Sequence, residues 1–239
     1  MNKRNNITVD KKKLIEISKK YKLEEDIAVI SEPYIPYIPE NWNGVLVLAE
    51  SQNLSKNNQG YVEKLKKLSS DKRIVRLYEN ENNIGVYPWD DGSLKLAIES
   101  ALKIKAKETA VSNAVLWSQR SDTGANKNPG DKIKKRSIKI WDEFLKILDP
   151  KLIIVAGKVA SNIINKTNWQ GKKIALRLPS KNAMSRISGM FNSNDLLERF
   201  PEVREIAEKN ENWIKNYRSN KVFYACHAVS LLKEHDKKY

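Results

Sequence analysis

Three short runs of the chain carry residues suited to chemistry at the ends of apolar segments. "GVLVLAESQN" (44–53) runs from aliphatic residues into the carboxylate of Glu50, and "AVSNAVLWSQR" (110–120) holds an amide, Asn113, inside a run that otherwise reads as buried. "LRLPSKNAMSR" (176–186) ends in Ser180, Lys181 and Arg186. A carboxylate stabilises positive charge that develops in a transition state and orients water. An amide offers one acceptor and two donors to a planar ligand edge. Unpaired in the interior it costs about 1–3 kcal/mol, so Asn113 either satisfies nearby backbone or awaits a ligand.

Segments of a particular kind must position these groups. A continuous apolar run of strand length lies at 44–51, further strand candidates lie at 73–79, 109–117, 151–157 and 173–179, and helical patterns lie between them at 55–69, 93–107, 131–148 and 157–166. This alternation predicts an α/β fold, a three-layer α/β/α sandwich around a mostly parallel sheet of four or five strands. A helix over 9–22, capped near Asp10, precedes the sheet, and the region 194–239 reads as helical, with Trp213, Ile214 and Tyr217 as packing residues. Between the first helix and first strand, Pro33, Pro36 and Pro39 predict an extended, ordered lead-in. The 239 residues are expected to form a single domain. In such sheets ligands gather beyond the carboxyl ends of the strands, where the three runs end.

Composition narrows the function classes. The formal charge of +15, from 44 Lys and Arg against 29 Asp and Glu, points to an anionic partner, although an AT-rich coding genome also yields a Lys- and Asn-rich chain. No apolar run reaches the roughly 18–20 residues of a membrane span, and "MNKRNNITVDKKK" lacks a secretory apolar core, so a cytoplasmic protein without membrane association is expected. A single cysteine, Cys226, excludes an intrachain disulfide and a thiolate metal cluster, and His227 and His235 alone do not make a metal site. "GANKNPGDK" (124–132) has the wrong spacing for a phosphate loop, and no dinucleotide fingerprint or nucleophile elbow occurs. Asp90 and Asp91, before Gly92 and Ser93, read as a turn and helix cap, while Trp89 and Trp117 are expected at a pocket mouth.

Taken in order, "GVLVLAESQN", "AVSNAVLWSQR" followed by "DPKLIIVAGKVASNII", and "LRLPSKNAMSRISGMF" resemble the uracil-DNA glycosylase superfamily over roughly residues 40–190. That family's first motif reads GQDPY or GEAPG, its middle strand carries an asparagine in an LNxVL-like setting, and a late strand runs into HPS. The resemblance implies a monofunctional DNA N-glycosylase, a cofactor-free monomer that flips a base from double- or single-stranded DNA and hydrolyses its glycosidic bond. It implies Glu50 as the carboxylate beneath the sugar and Asn113 as the base reader. Ser51, Asn53, Tyr61 and Trp117 are then the base pocket, and Ser180, Lys181 and Arg186 bind DNA.

Two departures bear on substrate. Leu178 stands where the family has the histidine of HPS, with His227 either an imidazole supplied from elsewhere or, the favoured reading, a packed C-terminal histidine, and the four-cysteine cluster of some branches is missing. Asn53 occupies the place of the tyrosine that walls off C5 of the pyrimidine, which opens room for a polar C5 substituent. The favoured expectation is therefore excision of a C5-modified cytosine, such as the glucosylated hydroxymethylcytosine of some phage DNAs, in antiviral defence. Ordinary uracil excision in repair, a non-catalytic DNA-binding module, and an unrelated nucleotide-binding α/β protein are the alternatives.

Overall fold

A computed structural model describes residues 9–24, 27–54, 58–78, 84–120, 129–178, 196–209 and 219–236. Four strands, β1 (Val45–Leu54), β2 (Ala110–Arg120), β3 (Leu152–Ala156) and β4 (Lys172–Leu176), form one sheet in the order β2-β1-β3-β4, and every pairing is parallel. The helices are α1 (Lys11–Lys20), α2 (Gln59–Lys66), α3 (Ser70–Ile74), α4 (Ser93–Leu102), α5 (Asp131–Leu148) and α6 (Lys158–Asn165). They are followed by α7 (Leu196–Arg199), α8 (Pro201–Lys209) and α9 (Ser219–Asp236).

β3 and the first half of β1 read as unbroken apolar runs because both faces of the sheet are covered there. Alternate residues feed two cores: Val45, Val47 and Ala49 of β1 pack with α4, α8 and α9, whereas Leu46 and Leu48 pack with α1, α5 and α6. The same alternation divides β3, with Ile154 and Ala156 in the first core and Ile153 and Val155 in the second. The result is the three-layer α/β/α sandwich that the alternation of patterns implied.

The outer edge of β2 is closed by the proline-containing lead-in. Tyr37 bridges Val111 in antiparallel fashion, and the amides of Tyr34 and Val29 donate to the carbonyls of Leu116 and Ser118 at 2.9 and 3.0 Å. Covering an edge in this way removes a row of unpaired backbone groups. The strap is pinned by Glu32, only 1% exposed, which accepts from Arg73 Nε at 2.8 Å, Arg73 Nη2 at 2.6 Å and Ser70 Oγ at 3.0 Å.

Among the described residues, the strand expected over 73–79 is absent: Arg73 and Ile74 close α3, and Arg76–Tyr78 form a 3-10 turn. The two fully buried apolar residues here, Ile74 and Leu77, are three apart, so one face of a helical turn meets the core where strand alternation would have needed even spacing. Other bounds shift less. The expected first helix over 9–22 spans Lys11–Lys20, with Asp10 Oδ1 accepting from the Lys13 amide at 3.2 Å. In the region 194–239 the described segments are α7, α8 and α9, while Trp213, Ile214 and Tyr217 lie outside the described residues.

Burial alone would raise the Glu32 carboxyl, but the hydrogen bonds from Arg73 and Ser70 outweigh it and hold it at about 2. A depressed carboxyl contributes its stability above the ordinary glutamate value and loses it as pH falls toward the folded-state value. Acid titration of the wild type should therefore show a loss of stability between about pH 4.5 and about pH 2, followed by circular dichroism in urea. Glu32→Gln should lack that component and be about 3 kcal/mol less stable at pH 7, because it removes the buried carboxylate that accepts twice from Arg73.

Candidate functional site

Glu50 and Asn113 lie on adjacent strands, Asn113 inside its strand as expected, whereas Glu50 does not close β1. β1 continues past Glu50 to Leu54 and β2 continues past Trp117 to Arg120. Asn113 pairs in register with Ala49, the residue before Glu50. The pairing of β1 with β3 ends at Leu48 and Val155, so Glu50 sits where the sheet narrows from four strands to the β1–β2 pair. Chain order reverses at the same place, since β1 is flanked by β2 on one side and β3 on the other. Such a switch point opens the crevice in which α/β sheets bind ligands.

Glu50 is half-buried and held by the start of α6. Its Oε1 accepts from the Val159 amide at 2.9 Å, where unsatisfied helix N–H groups favour an anion. Gly157, between β3 and α6, has φ +105, and a Cβ there would fall on the Glu50 carboxylate. Burial raises the Glu50 carboxyl above its ordinary value, and the backbone N–H groups of Val159 and Lys158 oppose that rise.

Asn113 is buried and its amide is committed. Nδ2 donates to Tyr34 Oη at 2.8 Å and to the Gly85 carbonyl at 3.2 Å. Tyr34 in turn donates its hydroxyl to the Val115 carbonyl at 3.3 Å, and burial pushes its phenol up to about 12, so it stays protonated at neutral pH. The Arg76 guanidinium lies 4.3 Å from the Tyr34 ring centroid, and its Nη2 donates to Ser118 Oγ at 3.2 Å. Ser118 passes the chain on by donating to Gln52 Oε1 at 2.6 Å. Half of the question posed by Asn113 is thereby answered: its two N–H groups satisfy the protein itself.

Gly85 belongs to a loop that Asp90 closes, with Asp90 Oδ1 and Oδ2 accepting from the amides of Ile84 and Val86 at 3.0 and 2.7 Å. Asp91 accepts from the amide and hydroxyl of Ser93 at 2.9 and 2.6 Å and caps the first turn of α4. The adjacent acids thus act as loop closure and helix cap, the roles their Asp-Gly-Ser setting suggested. A side chain at Gly85, where φ is +81, would collide with the Gln52 amide.

The other expected site residues are distributed unevenly. Tyr61, on α2, is 39% exposed and lies within electrostatic reach of Tyr34 and Arg76, so it remains a candidate for stacking. Ser51 is half-buried on β1 beside Val115, and the backbone of Asn53 pairs with Gln119. Trp117 is corrected to a core residue: it is fully buried in the second core and its indole N–H is spent on the Ser31 carbonyl at 3.0 Å. Trp89 is likewise buried, in the first core. Ser180, Lys181 and Arg186 lie outside the described residues.

Leu178 packs against the first core, and His227 on α9 is half-buried, with its Nε2 lacking a partner among the described residues. Burial, then the charge of Arg177, holds that imidazole below its ordinary value. Local sequence patterns gave no sign of Tyr34, Gly85, Gln52 or Gly157 as site residues. Tyr87, 50% exposed, was also missed; with Tyr61 it is one of the two exposed large hydrophobic side chains among the described residues, and it lies two residues from Gly85. No group of three or more His, Cys, Asp or Glu side chains converges on a metal position among the described residues, and no helix there is long and apolar enough to cross a membrane. No protein-family model matches the chain, and no curated protein sequence matches it significantly.

The contact between Gly157 and Glu50 can be tested directly. Gly157→Ala should destabilise the protein by about 2 kcal/mol or more, since both the backbone conformation and the carboxylate's position oppose a methyl group. A urea titration should show the lowered midpoint, whereas Gly60→Ala, where a Cβ meets nothing within 4 Å, should leave the midpoint within about 0.5 kcal/mol of wild type or raise it.

Proposed function

We propose that this protein is a DNA N-glycosylase that hydrolyses the bond between a C5-modified pyrimidine and its sugar. The observation carrying the proposal is that Glu50 on β1 follows Ala49, the register partner of Asn113 on the adjacent parallel strand β2, where the four-stranded part of the sheet ends. Cleavage of an N-glycosidic bond builds positive charge on the sugar, and an anion fixed nearby stabilises that charge without reorganising. Glu50, tied to the start of α6, is such an anion. Asn113 Oδ1 supplies an acceptor for the extruded base, and Tyr61, within electrostatic reach of Tyr34, and Tyr87, two residues from Gly85, expose rings suited to stacking. The charge of +15 suits a phosphate backbone.

A second reading is favoured by one specific observation. Because Glu50 already accepts from the start of α6, its type and position are also explained by helix capping alone. On that reading the protein keeps a DNA-binding surface and releases no base.

Mass spectrometry of bases released from three DNAs separates these readings: uracil-containing DNA, unmodified DNA, and phage DNA with glucosylated hydroxymethylcytosine. Release from the modified DNA should fall about a hundredfold or more in Glu50→Gln, a variant whose carbonyl oxygen can still accept from Val159. Since Glu50 acts ionised and burial raises its carboxyl, activity should fall on the acid side with a limb above the ordinary glutamate range. Release of uracil alone would place the enzyme in repair. Salt-sensitive binding of all three DNAs without release would favour the capping reading.

A further inference from the structure

The hydrogen bonds at Asn113 carry a statement about what the site recognises. Gly85 contributes a carbonyl oxygen, which only accepts, so the Asn113 atom facing it has to be the amide nitrogen. Tyr34 spends its own proton on the Val115 carbonyl, so its oxygen also accepts from Asn113. These two contacts determine which way the amide points and use both of its N–H groups. Among the described residues Oδ1 receives no hydrogen bond, although the Asn113 side chain belongs to a residue only 1% exposed.

We infer that Asn113 meets its ligand through Oδ1 alone, so that the base it reads presents an exocyclic amine, as at C4 of a cytosine-type pyrimidine, and not a carbonyl. This rests on the reading of the site as a base pocket and names the class of base. A C4 amine brings N–H donors to the acceptor. A uracil-type base brings an oxygen to the same place, and its N3–H reaches Oδ1 only with that C4 oxygen held beside another acceptor and no Asn113 N–H left to answer it. Tyr34 is accordingly a positioning residue: it acts on the base through the orientation of the amide.

The test uses the full chain and two single-stranded oligonucleotides with one 5-hydroxymethylcytosine or one 5-hydroxymethyluracil at the same position, so that the C5 substituent is shared. Fluorescence anisotropy gives the two dissociation constants, and mass spectrometry follows release. Wild type should bind the amino base about tenfold tighter or more. Tyr34→Phe, which frees one N–H of Asn113, should bring the ratio toward one while circular dichroism and the urea midpoint report whether the fold persists. The wild-type ratio tests the inference even where that variant does not fold. Equal binding, or tighter binding of the uracil-type base, overturns it; if release still occurs, the glycosylase reading survives. Preferential binding of the amino base without release supports the inference and removes the enzymatic reading. Binding of both no tighter than an unmodified oligonucleotide overturns both.

Discussion

A sheet buried on both faces leaves no side on which a polar side chain is without cost, and that constraint organises this end of the molecule. β2 carries Ser112, Asn113, Ser118 and Gln119, all buried. Each unsatisfied group in such a place costs about as much as several ordinary surface substitutions combined. The chain answers with segments brought from elsewhere. The strap that covers the β2 edge delivers the Tyr34 hydroxyl, the loop closed by Asp90 delivers the Gly85 carbonyl, and Gln52 from β1 accepts from Ser118. Edge protection and amide orientation are therefore one structural device: removing the strap from β2 would expose the ladder and release Asn113 together.

The same strap explains why Arg76 is tolerated in the interior. Its guanidinium rests on the Tyr34 ring, donates to the Arg73 carbonyl at 2.8 Å and to Ser118, and lies in the field of Glu32. Burial lowers its pKa to about 10, which still leaves it charged at neutral pH. A buried cation and a buried anion, Glu32, flank the route by which the strap reaches β2. Neither is an efficient source of stability compared with apolar packing, but each is severe to orphan, which makes the strap's position hard to vary.

The layered fold was legible because its signals are local. Runs such as "GVLVLAE" and "KLIIVAG" announce strands buried on both sides, and Asp10 and Asp91 announce helix starts within a few residues. The segment 73–79 failed for the same reason that it looked convincing: its apolar content is high, and only the three-residue separation of Ile74 and Leu77 betrays a helical turn. Trp117 failed because an indole near a strand end suits a pocket as well as a core, and its Ser31 partner comes from a distant segment. At the site, Glu50 and Asn113 stood out by residue type. Their partners did not, because Val159 is 109 residues from Glu50, and Tyr34 and Gly85 are 79 and 28 residues from Asn113. No local pattern encodes contacts of that separation.

On the glycosylase reading proposed above, capping and catalysis need not compete at Glu50. A carboxylate that answers developing positive charge has to be ionised when the charge appears, yet the burial that strengthens its field also favours the protonated form. The backbone N–H groups at the start of α6 act against that protonation, and Gly157 lets the carboxylate approach them closely. The cap then works against protonation of a half-buried acid at the sheet's switch point. A surface glutamate would stay ionised without such help, but solvent would screen most of its effect; a fully buried one without N–H partners would be neutral. Glu50 lies between these limits, where a helix N-terminus makes the largest difference to what the carboxylate is able to do.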